Sequence, residues 1–212
     1  MSNLSTRYMG LELKNPLVVS SCGLTKTVQG VQQAAEAGAG AIVLKSLFEE
    51  QIDAETEELA RQSQHSGHTE TYDYLYGFGR TFGPREYLQL VSDAKAAVSV
   101  PIIASVNCVT AARWTEYAGK LAAAGADGLE LNIGFLPNDP AISGVDVEER
   151  YLNILSAVRT KVSLPVALKI GPYFSSLAHL AKQLGNDRMT GPPFTVGWCG
   201  PGENDKNVTW QG

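Results

Sequence analysis

The side chains best suited to chemistry in this sequence come directly after short apolar runs. Lys45, Asn132 and Lys169 each follow such a run, and a Gly or Pro turn signal precedes each run. Runs of this kind are typical of strands buried between other elements. The carboxyl ends of parallel strands meet on one face, where ligands bind in α/β folds. We therefore expect a single ligand face, which also includes the other polar residues at or near strand ends: Ser20, Ser21, Ser46, Ser105 and Asn107.

Two lysines at the ends of buried strands need an explanation, because a buried ammonium requires a partner or loses its charge. In one interpretation, each lysine extends to the rim and pairs with Glu130 or with a loop carboxylate. We favour a second one, in which an anionic or electron-rich ligand lies across the strand ends. One lysine could then hold negative charge on a reduced ring, while Ser and Asn side chains fix its polar edge. A third interpretation is a Schiff-base lysine as in aldolases, with Lys169 as the nucleophile.

Two internal repeats indicate how these residues are positioned. AAEAGAGAIVLKS (34–46) parallels AAAGADGLELN (122–132), and AVSVPIIAS (97–105) parallels KVSLPVALK (161–169). Each repeat is a helix end, a Gly or Pro turn and a buried strand that ends in a polar residue, which predicts a parallel sheet built from βα units. The regular alternation favours a (β/α) barrel over an open sheet, and no GxGxxG follows the first strand.

The barrel pattern is shorter than a closed barrel requires. About five βα units are recognisable by Leu184, whereas a closed barrel has eight. We predict a partial barrel domain over residues 1–184 and an irregular tail rich in Gly, Pro and Asn over residues 185–212. Within the barrel, alternation from Tyr8 to Asn15 predicts a small capping hairpin, and Thr25 is the expected N-cap of the first helix.

One segment interrupts the βα pattern. Residues 47–84 are polar and aromatic, and a long insertion of this kind predicts a lid or binding loop. His65 and His68 have the spacing of a weak ligand pair, but they lie among Ser, Gln and Gly residues with no Cys nearby. We therefore expect no metal site.

Composition excludes several classes of partner. The chain has 212 residues and a net charge of −5, and it contains no block rich in Lys and Arg. Nucleic acid and anionic membranes are therefore poor candidate partners. No secretory signal and no apolar run of membrane-spanning length are apparent. The three scattered cysteines form neither a disulfide framework nor a zinc pattern, which favours a cytoplasmic location.

Six motifs occur in a characteristic order along the chain: NPLVVSSCG (15–23), AGAGAIVLKS (37–46), PIIASV (101–106), AGADGLELN (124–132), LPN (136–138) and PVALKIGPYF (165–174). Together they resemble the dihydroorotate dehydrogenase family, including the pyrimidine-reducing domain of dihydropyrimidine dehydrogenase. The resemblance covers about residues 8–184 and implies a (β/α)8 TIM barrel of the FMN-binding type, of which about five units are present here. It also implies oxidation of dihydroorotate to orotate, or action on a related dihydropyrimidine.

The resemblance also implies roles for individual residues. Lys45, Asn132 and Asn138 would bind the substrate. The residues that would hold FMN are Ser20, Ser21, Gly23, Lys45, Ser46, Ser105, Asn132 and Lys169.

The sequence departs from the family pattern at the expected proton acceptor. The family places a Cys or Ser directly before Pro-Asn, whereas this chain has Phe135-Leu136 there. The catalytic base is therefore unknown, with Cys108, Asp139 and Tyr173 as conceivable substitutes, and we expect slow or absent dihydroorotate oxidation.

Two further departures concern the substrate and the cofactor phosphate. The family's Asn-rich substrate loop after the second strand is not visible, and neither are the later units with the Gly-rich turns that hold the FMN phosphate. An alternative is therefore an inactive truncated barrel or interaction fragment, since an incomplete barrel leaves an open sheet edge. A homodimer would cover such an edge.

Overall fold

The structure is a computed structural model that describes residues 3–49, 51, 84–108, 111–134, 138–171, 174–185, 194–198 and 210–211. It begins with a hairpin of two antiparallel strands, β1 (Thr6–Tyr8) and β2 (Leu11–Leu13). Met9 and Gly10 make the turn with φ angles of 54° and 78°, as a two-residue hairpin turn with positive φ at both positions requires. The hairpin expected from the alternating pattern is therefore present.

The remaining strands form one sheet whose spatial order is β10-β9-β8-β7-β6-β4-β3, with β5 also paired to β6. Every pairing from β3 to β9 is parallel, and β10 pairs with β9 in the antiparallel sense. The strands are β3 (Val18–Val19), β4 (Ala41–Val43), β5 (Leu47–Phe48), β6 (Ile102–Asn107), β7 (Gly128–Asn132), β8 (Val166–Ile170), β9 (Phe194–Trp198) and β10 (Trp210–Gln211).

Helices alternate with the parallel strands, as the repeats predict. They are α1 (Val28–Glu36), α2 (Pro84–Ala97), α3 (Ala111–Ala123), α4 (Gly144–Lys161) and α5 (Leu177–Gly185), and a 3₁₀ turn (Leu24–Lys26) precedes α1. Among the described helices, none combines the length and the apolar character needed to cross a bilayer.

The expected cap of the first helix is wrong by two residues. Thr27 caps α1 by accepting a hydrogen bond from the Gly30 N–H. The Thr25 hydroxyl is instead engaged by Cys22, whose carbonyl accepts from it and whose N–H donates to it. The Thr25 hydroxyl therefore stabilises the turn after β3 and is not available to cap the helix.

The two faces of the sheet differ in what covers them. The outer face packs against the helices in the main core, with buried side chains at alternate strand positions such as Ile42, Ile102, Leu129 and Val166. The inner face carries a second apolar layer, which the hairpin covers with Met9 and Leu13. The strand residues of that inner layer are Ala41, Val43, Ile103 and Ala167.

The predicted eightfold barrel is wrong for the described chain. Its parallel strands form an open half-barrel that begins at β3 and ends at β9. Two of the strands, β9 and β10, lie in the segment expected to be an irregular tail. Phe, Thr, Val and Trp in β9 favour strand conformation, a local preference that the surrounding Gly and Pro residues obscure.

Two other expectations from the sequence remain predictions. The domain boundary at residue 184 stays a prediction. Residues 50 and 52–83, which contain most of the predicted lid together with His65 and His68, lie outside the described residues.

Candidate functional site

The site begins at a break in the ladder between β4 and β6. Val43 pairs with Ile103, and the Leu44 N–H donates to the Ile103 carbonyl over 2.9 Å. Pairing resumes only where Leu47 meets Val106. The two residues between, Lys45 and Ser46, therefore leave the ladder at the carboxyl end of β4, where the sequence predicts a ligand face.

Tyr87 of helix α2 occupies the gap that this break leaves in the ladder. Its hydroxyl donates to the Ser105 carbonyl over 2.8 Å and accepts from the Ser105 N–H over 2.9 Å. Tyr87 is buried, and burial raises its pKa well above the ordinary value of 10.0. The neutral hydroxyl thus replaces the missing neighbouring strand as the partner of the Ser105 backbone, which satisfies two buried polar groups.

Three serines predicted for the ligand face are joined by hydrogen bonds. The Ser21 Oγ lies 3.1 Å from the Ser46 Oγ and accepts from the Ser46 N–H over 2.9 Å. The Ser46 Oγ lies 2.8 Å from the Ser105 Oγ. Ser46 and Ser105 are both buried, and Ser21 is partly buried.

The serine chain ends on Glu130. Ser105 and Glu130 are register partners on β6 and β7, and the Ser105 hydroxyl donates to the Glu130 Oε1 over 2.8 Å. Burial raises the pKa of the Glu130 carboxyl above its ordinary value of 4.5. The hydrogen bond from Ser105 and the positive charge of Lys169 act in the opposite direction, but burial is the larger effect.

Asn132 and Lys169 form the next layer of the inner face. They are register partners at the carboxyl ends of β7 and β8, and both side chains are partly buried. The following residue, Ile133, donates its N–H to the Lys169 carbonyl over 3.1 Å, which extends the pairing beyond Asn132. Both residues therefore lie at strand ends where the sequence predicts a ligand face, and their roles there stay predictions.

The other lysine lies at the break in the β4 ladder. The Lys45 Nζ is 5.4 Å from the centroid of the Phe48 ring. Within the described chain, no carboxylate lies within ion-pair distance of either Lys45 or Lys169. The proposed pairing of the lysines with Glu130 is therefore not formed as an ion pair.

Three predicted residues follow strands β3 and β7 but, among the described residues, form no hydrogen bond with the serine chain. Ser20 and Gly23 follow β3 and are exposed, and Asn138 is exposed in the loop after β7. A Cβ atom added to Gly23 would meet no atom within 4 Å. Their assignments to cofactor or substrate stay predictions.

The described substitutes for the missing base do not face the serine chain. Cys108 is buried in the core on the helix side of the sheet. Asp139 is exposed, and its Oδ1 accepts from the Ala141 N–H over 2.9 Å. Tyr173, Phe135 and Leu136 lie outside the described residues.

Glu130 is the site residue that the sequence reasoning missed as a functional group. The sequence alone points to Glu130 only as a partner for a lysine. Strand alternation contains the missing signal, because Glu130 precedes Asn132 by two residues and must share its face. In the part of the chain that the structure describes, no three His, Cys, Asp or Glu side chains are grouped as a metal site would require.

Sequence comparison relates the chain to one enzyme family, although no family model matches it. It is 27% identical over 199 residues to the catalytic subunit of dihydroorotate dehydrogenase B (NAD(+)) from Thermoplasma volcanium, covering 86% of this chain and 58% of that protein. It is 30% identical over 173 residues to the subunit of the same name from Methanocella arvoryzae, covering 77% of this chain and 52% of that protein. The chain thus spans little more than half the length of these relatives.

Solved structures with a similar fold carry different names. A Pseudomonas aeruginosa protein described as a dihydrodipicolinate synthetase matches with a TM-score of 0.55 and 15% identity, covering 86% of this chain and 55% of that one. DHDPS from Cyanidioschyzon merolae matches with a TM-score of 0.51 and 16% identity, covering 80% and 51%. At such identities only the fold is comparable.

The structural matches correct one prediction, and the sequence matches confirm another. The FMN-binding barrel type is wrong as the fold class, because the structural counterparts are dihydrodipicolinate synthase-like TIM barrels and the described strands make half of one. The family resemblance inferred from the motifs is confirmed, since over most of its length the chain is similar in sequence to the catalytic subunits of dihydroorotate dehydrogenase B.

Proposed function

We propose that the chain belongs to an FMN-dependent oxidoreductase that acts on dihydroorotate or a closely related dihydropyrimidine. The observation that carries the proposal is the shared inner face of Asn132 and Lys169, next to a buried hydrogen-bonded chain that begins beside Lys45. The similarity to dihydroorotate dehydrogenase B subunits supports the choice of substrate class.

The donor set of this face fits the ring of FMN. Lys45 and Lys169 offer two ammonium groups with no carboxylate at ion-pair distance in the described chain, and Asn132 offers an amide. Ammonium and amide donors suit a ring that gains negative charge when it is reduced. When bound, FMN would supply the acceptor for the hydride that leaves the substrate.

Side chains of this protein would stabilise charge, orient the rings and bind the substrate. At the strand ends, Lys169 and Lys45 hold the negative charge of the reduced flavin ring. The Asn132 amide orients the flavin ring and the pyrimidine ring of the substrate. Asn138 lies in the loop after β7 and binds the polar edge of the substrate. The inner apolar layer under Met9 and Leu13 keeps water from reaching the site from below.

A binding measurement tests the cofactor assignment. The purified chain should acquire a bound-flavin absorption spectrum when FMN is added, and Lys169→Gln should weaken binding about tenfold or more, because a charge-assisted hydrogen bond is lost. Lys120→Gln is the matched control, since Lys120 pairs with Glu116 on α3 and should not alter binding. A protein that stays colourless with saturating FMN would contradict the proposal.

Turnover is a separate measurement. Anaerobic addition of dihydroorotate should bleach the flavin slowly, because Phe135-Leu136 replaces the family's proton acceptor. A related dihydropyrimidine that bleaches it faster would identify the better substrate. Rapid orotate formation would contradict the expected slow turnover.

A Schiff-base reaction at Lys169 is the second candidate. It is favoured by the position of Lys169 on the inner face of β8, with no carboxylate at ion-pair distance in the described residues. Borohydride should then trap a carbonyl substrate on the wild-type chain and not on Lys169→Gln. No trapped adduct with simple 2-oxo acids would remove this candidate.

We also infer that the chain associates with a second copy. Two apolar side chains that flank the edge strand β3 lie in solvent, with Leu17 65% and Leu24 66% exposed. Light scattering should give the mass of a dimer, and a folded monomer at micromolar concentration would contradict this inference. The alternative of an inactive fragment predicts no flavin binding in either state.

A further inference from the structure

The serine chain and Glu130 form a continuous hydrogen-bonded path from the protein surface to the inner face of the sheet. The successive oxygen–oxygen distances are 3.1 Å from Ser21 to Ser46, 2.8 Å from Ser46 to Ser105 and 2.8 Å from Ser105 to Glu130. Exposure falls along the path, from the partly buried Ser21 to Ser46 at 6% and Ser105 at 0%. Ser21, at one end of the path, can therefore exchange protons with a ligand or with water, whereas the two serines between it and the partly buried Glu130 cannot.

The number of protons fixes the direction of these hydrogen bonds. A serine hydroxyl has one proton to donate, and Ser105 donates its proton to the Glu130 carboxylate. The proton between Ser46 and Ser105 must therefore come from Ser46, and the proton between Ser21 and Ser46 must come from Ser21. All three hydroxyls point towards Glu130 when its carboxyl is ionised.

We propose that Ser21, Ser46 and Ser105 form a proton relay that ends on Glu130, and that Glu130 is the proton acceptor for the ligand face. This inference rests on the proposed function for the identity of the group that releases the proton. It supplies the acceptor that the loop after β7 lacks.

Each transfer along the relay balances. A proton that leaves a ligand C–H bond forms a new O–H bond at Ser21, whose original proton passes to Ser46. The Ser46 proton passes to Ser105, and the Ser105 proton forms the O–H bond of the neutral Glu130 acid. Each hydroxyl ends with one proton, the hydrogen bonds reverse direction, and the charge on Glu130 changes from −1 to 0. The second hydrogen of the oxidation would leave with its electron pair, and FMN, when bound, would supply the acceptor for it.

The surroundings of Glu130 suit this role. The groups that interact electrostatically with it are Lys169 on β8, Tyr8 on β1 and Tyr87 on α2. Burial, with the negative charge of Glu130, raises the pKa of Tyr8 to about 12. The same two effects raise the pKa of Tyr87 further. Both phenols are therefore neutral near pH 7, so Glu130 is the member of this group that can take up a proton there. Its own raised pKa favours that uptake.

A carboxyl titration tests the relay without any cofactor. The whole chain is labelled with ¹³C at the glutamate carboxyls, and Glu130→Gln assigns the Glu130 signal. Ser105→Ala should raise the Glu130 pKa by about 1 unit, because the ionised form loses a charge-assisted hydrogen bond. Ser46→Ala and Ser21→Ala should raise it by successively smaller amounts, about 10–30% of the previous effect, because each hydroxyl polarises the next.

Two features keep this titration interpretable. Glu116, whose pKa Lys120 holds below the ordinary value, is an internal reference that no serine variant should move. Ser21 is partly exposed, so Ser21→Ala should fold even where Ser46→Ala does not. The relay is overturned if Ser105→Ala shifts the Glu130 titration while Ser21→Ala and Ser46→Ala leave it unchanged, since Ser105 would then act alone.

Kinetics of the FMN-loaded chain test the role of Glu130 as acceptor. The rate of flavin reduction should rise with pH through the Glu130 pKa, and Glu130→Gln should lower kcat about 100-fold with little change in KM and abolish that rise. A wild-type pH profile in Glu130→Gln would overturn the inference while leaving the proposed function intact. If no form of the chain binds FMN, the proposed function fails, and the carboxyl titration still decides the relay.

Discussion

Ser105 and Glu130 lie opposite each other on neighbouring parallel strands, and the Ser105 hydroxyl donates to the Glu130 carboxylate over 2.8 Å. This pair separates two layers of the inner face. Towards the amino ends of the strands lie Ala41, Val43 and Ile103, which Met9 and Leu13 cover, and towards the carboxyl ends lie Asn132 and Lys169. The titratable Glu130 carboxyl is thus held between the apolar inner layer and the polar strand ends.

The pH dependence of stability should reveal the raised pKa of Glu130. Between the ordinary value of 4.5 and the higher folded value, the native chain binds more protons than the unfolded chain. The free energy of unfolding must therefore fall as pH rises through this window. We expect Glu130→Gln to gain stability relative to wild type over the same window and to match it below pH 4.5, as measured by urea unfolding. Glu116→Gln should instead lose stability relative to wild type, because the lowered Glu116 pKa means that its ionised form is favoured in the native chain.

Removing one hydroxyl from helix α2 should destabilise the chain strongly. Tyr87→Phe leaves the N–H and carbonyl of Ser105 without their partner. We expect a loss of about 2–4 kcal/mol in the free energy of unfolding, because two buried polar groups become unsatisfied. Tyr151→Phe, which loses the bond to the Ile133 carbonyl, should cost less. Equal losses in the two variants would contradict the role of Tyr87 in the ladder.

Two glycines separate cofactor binding from folding. Gly23 has φ −61° and open space around it, so Gly23→Ala should leave stability within about 0.5 kcal/mol. If its predicted place against the flavin is right, the same change should weaken FMN binding about tenfold. Gly38→Ala should behave in the opposite way, with a loss of about 1–2 kcal/mol because its φ is +101°, and with unchanged FMN binding. Wild-type FMN affinity in Gly23→Ala would remove Gly23 from the cofactor site.

The start of β6 depends on a carboxylate more than on an ion pair. Asp127 accepts from the Lys95 Nζ over 2.6 Å and from the Ile102 N–H over 2.8 Å. Asp127→Ala should cost about 1–3 kcal/mol, since a partly buried N–H loses its acceptor. Lys95→Met should cost under about 1 kcal/mol, because the Lys95 side chain is 40% exposed and the pair is screened by water. Thermal unfolding of both variants measures the difference.

Residues whose position depends on strand alternation could be predicted from the sequence. Asn132 and Lys169 are adjacent because each follows an apolar run of similar length on neighbouring strands. The placement of Lys45 follows from the same pattern. Local periodicity is sufficient here, since parallel strands with similar turns end at the same edge.

Features that depend on tertiary contacts could not be predicted in this way. Tyr87 is separated from Ser105 by 18 positions, and nothing in helix α2 marks its hydroxyl as the partner of a strand backbone. The link from Ser21 to Ser46 spans 25 positions and exists only because β4 ends early. Strand β9 could not be predicted for a local reason. Its short β-favouring sequence is surrounded by residues typical of loops.

The interrupted ladder between β4 and β6 also determines the direction of the Ser46 side chain. From Val43 to Leu47 the chain advances four residues, while its partner advances three, from Ile103 to Val106. This extra residue has the effect of a β-bulge, which re-aims side chains at the edge of a site. In a regular strand, Lys45 and Ser46 would point to opposite faces. With the bulge, Ser46 bonds to the inward-facing Ser105 although it directly follows Lys45, so deleting one residue here would restore regular pairing at the expense of the serine chain.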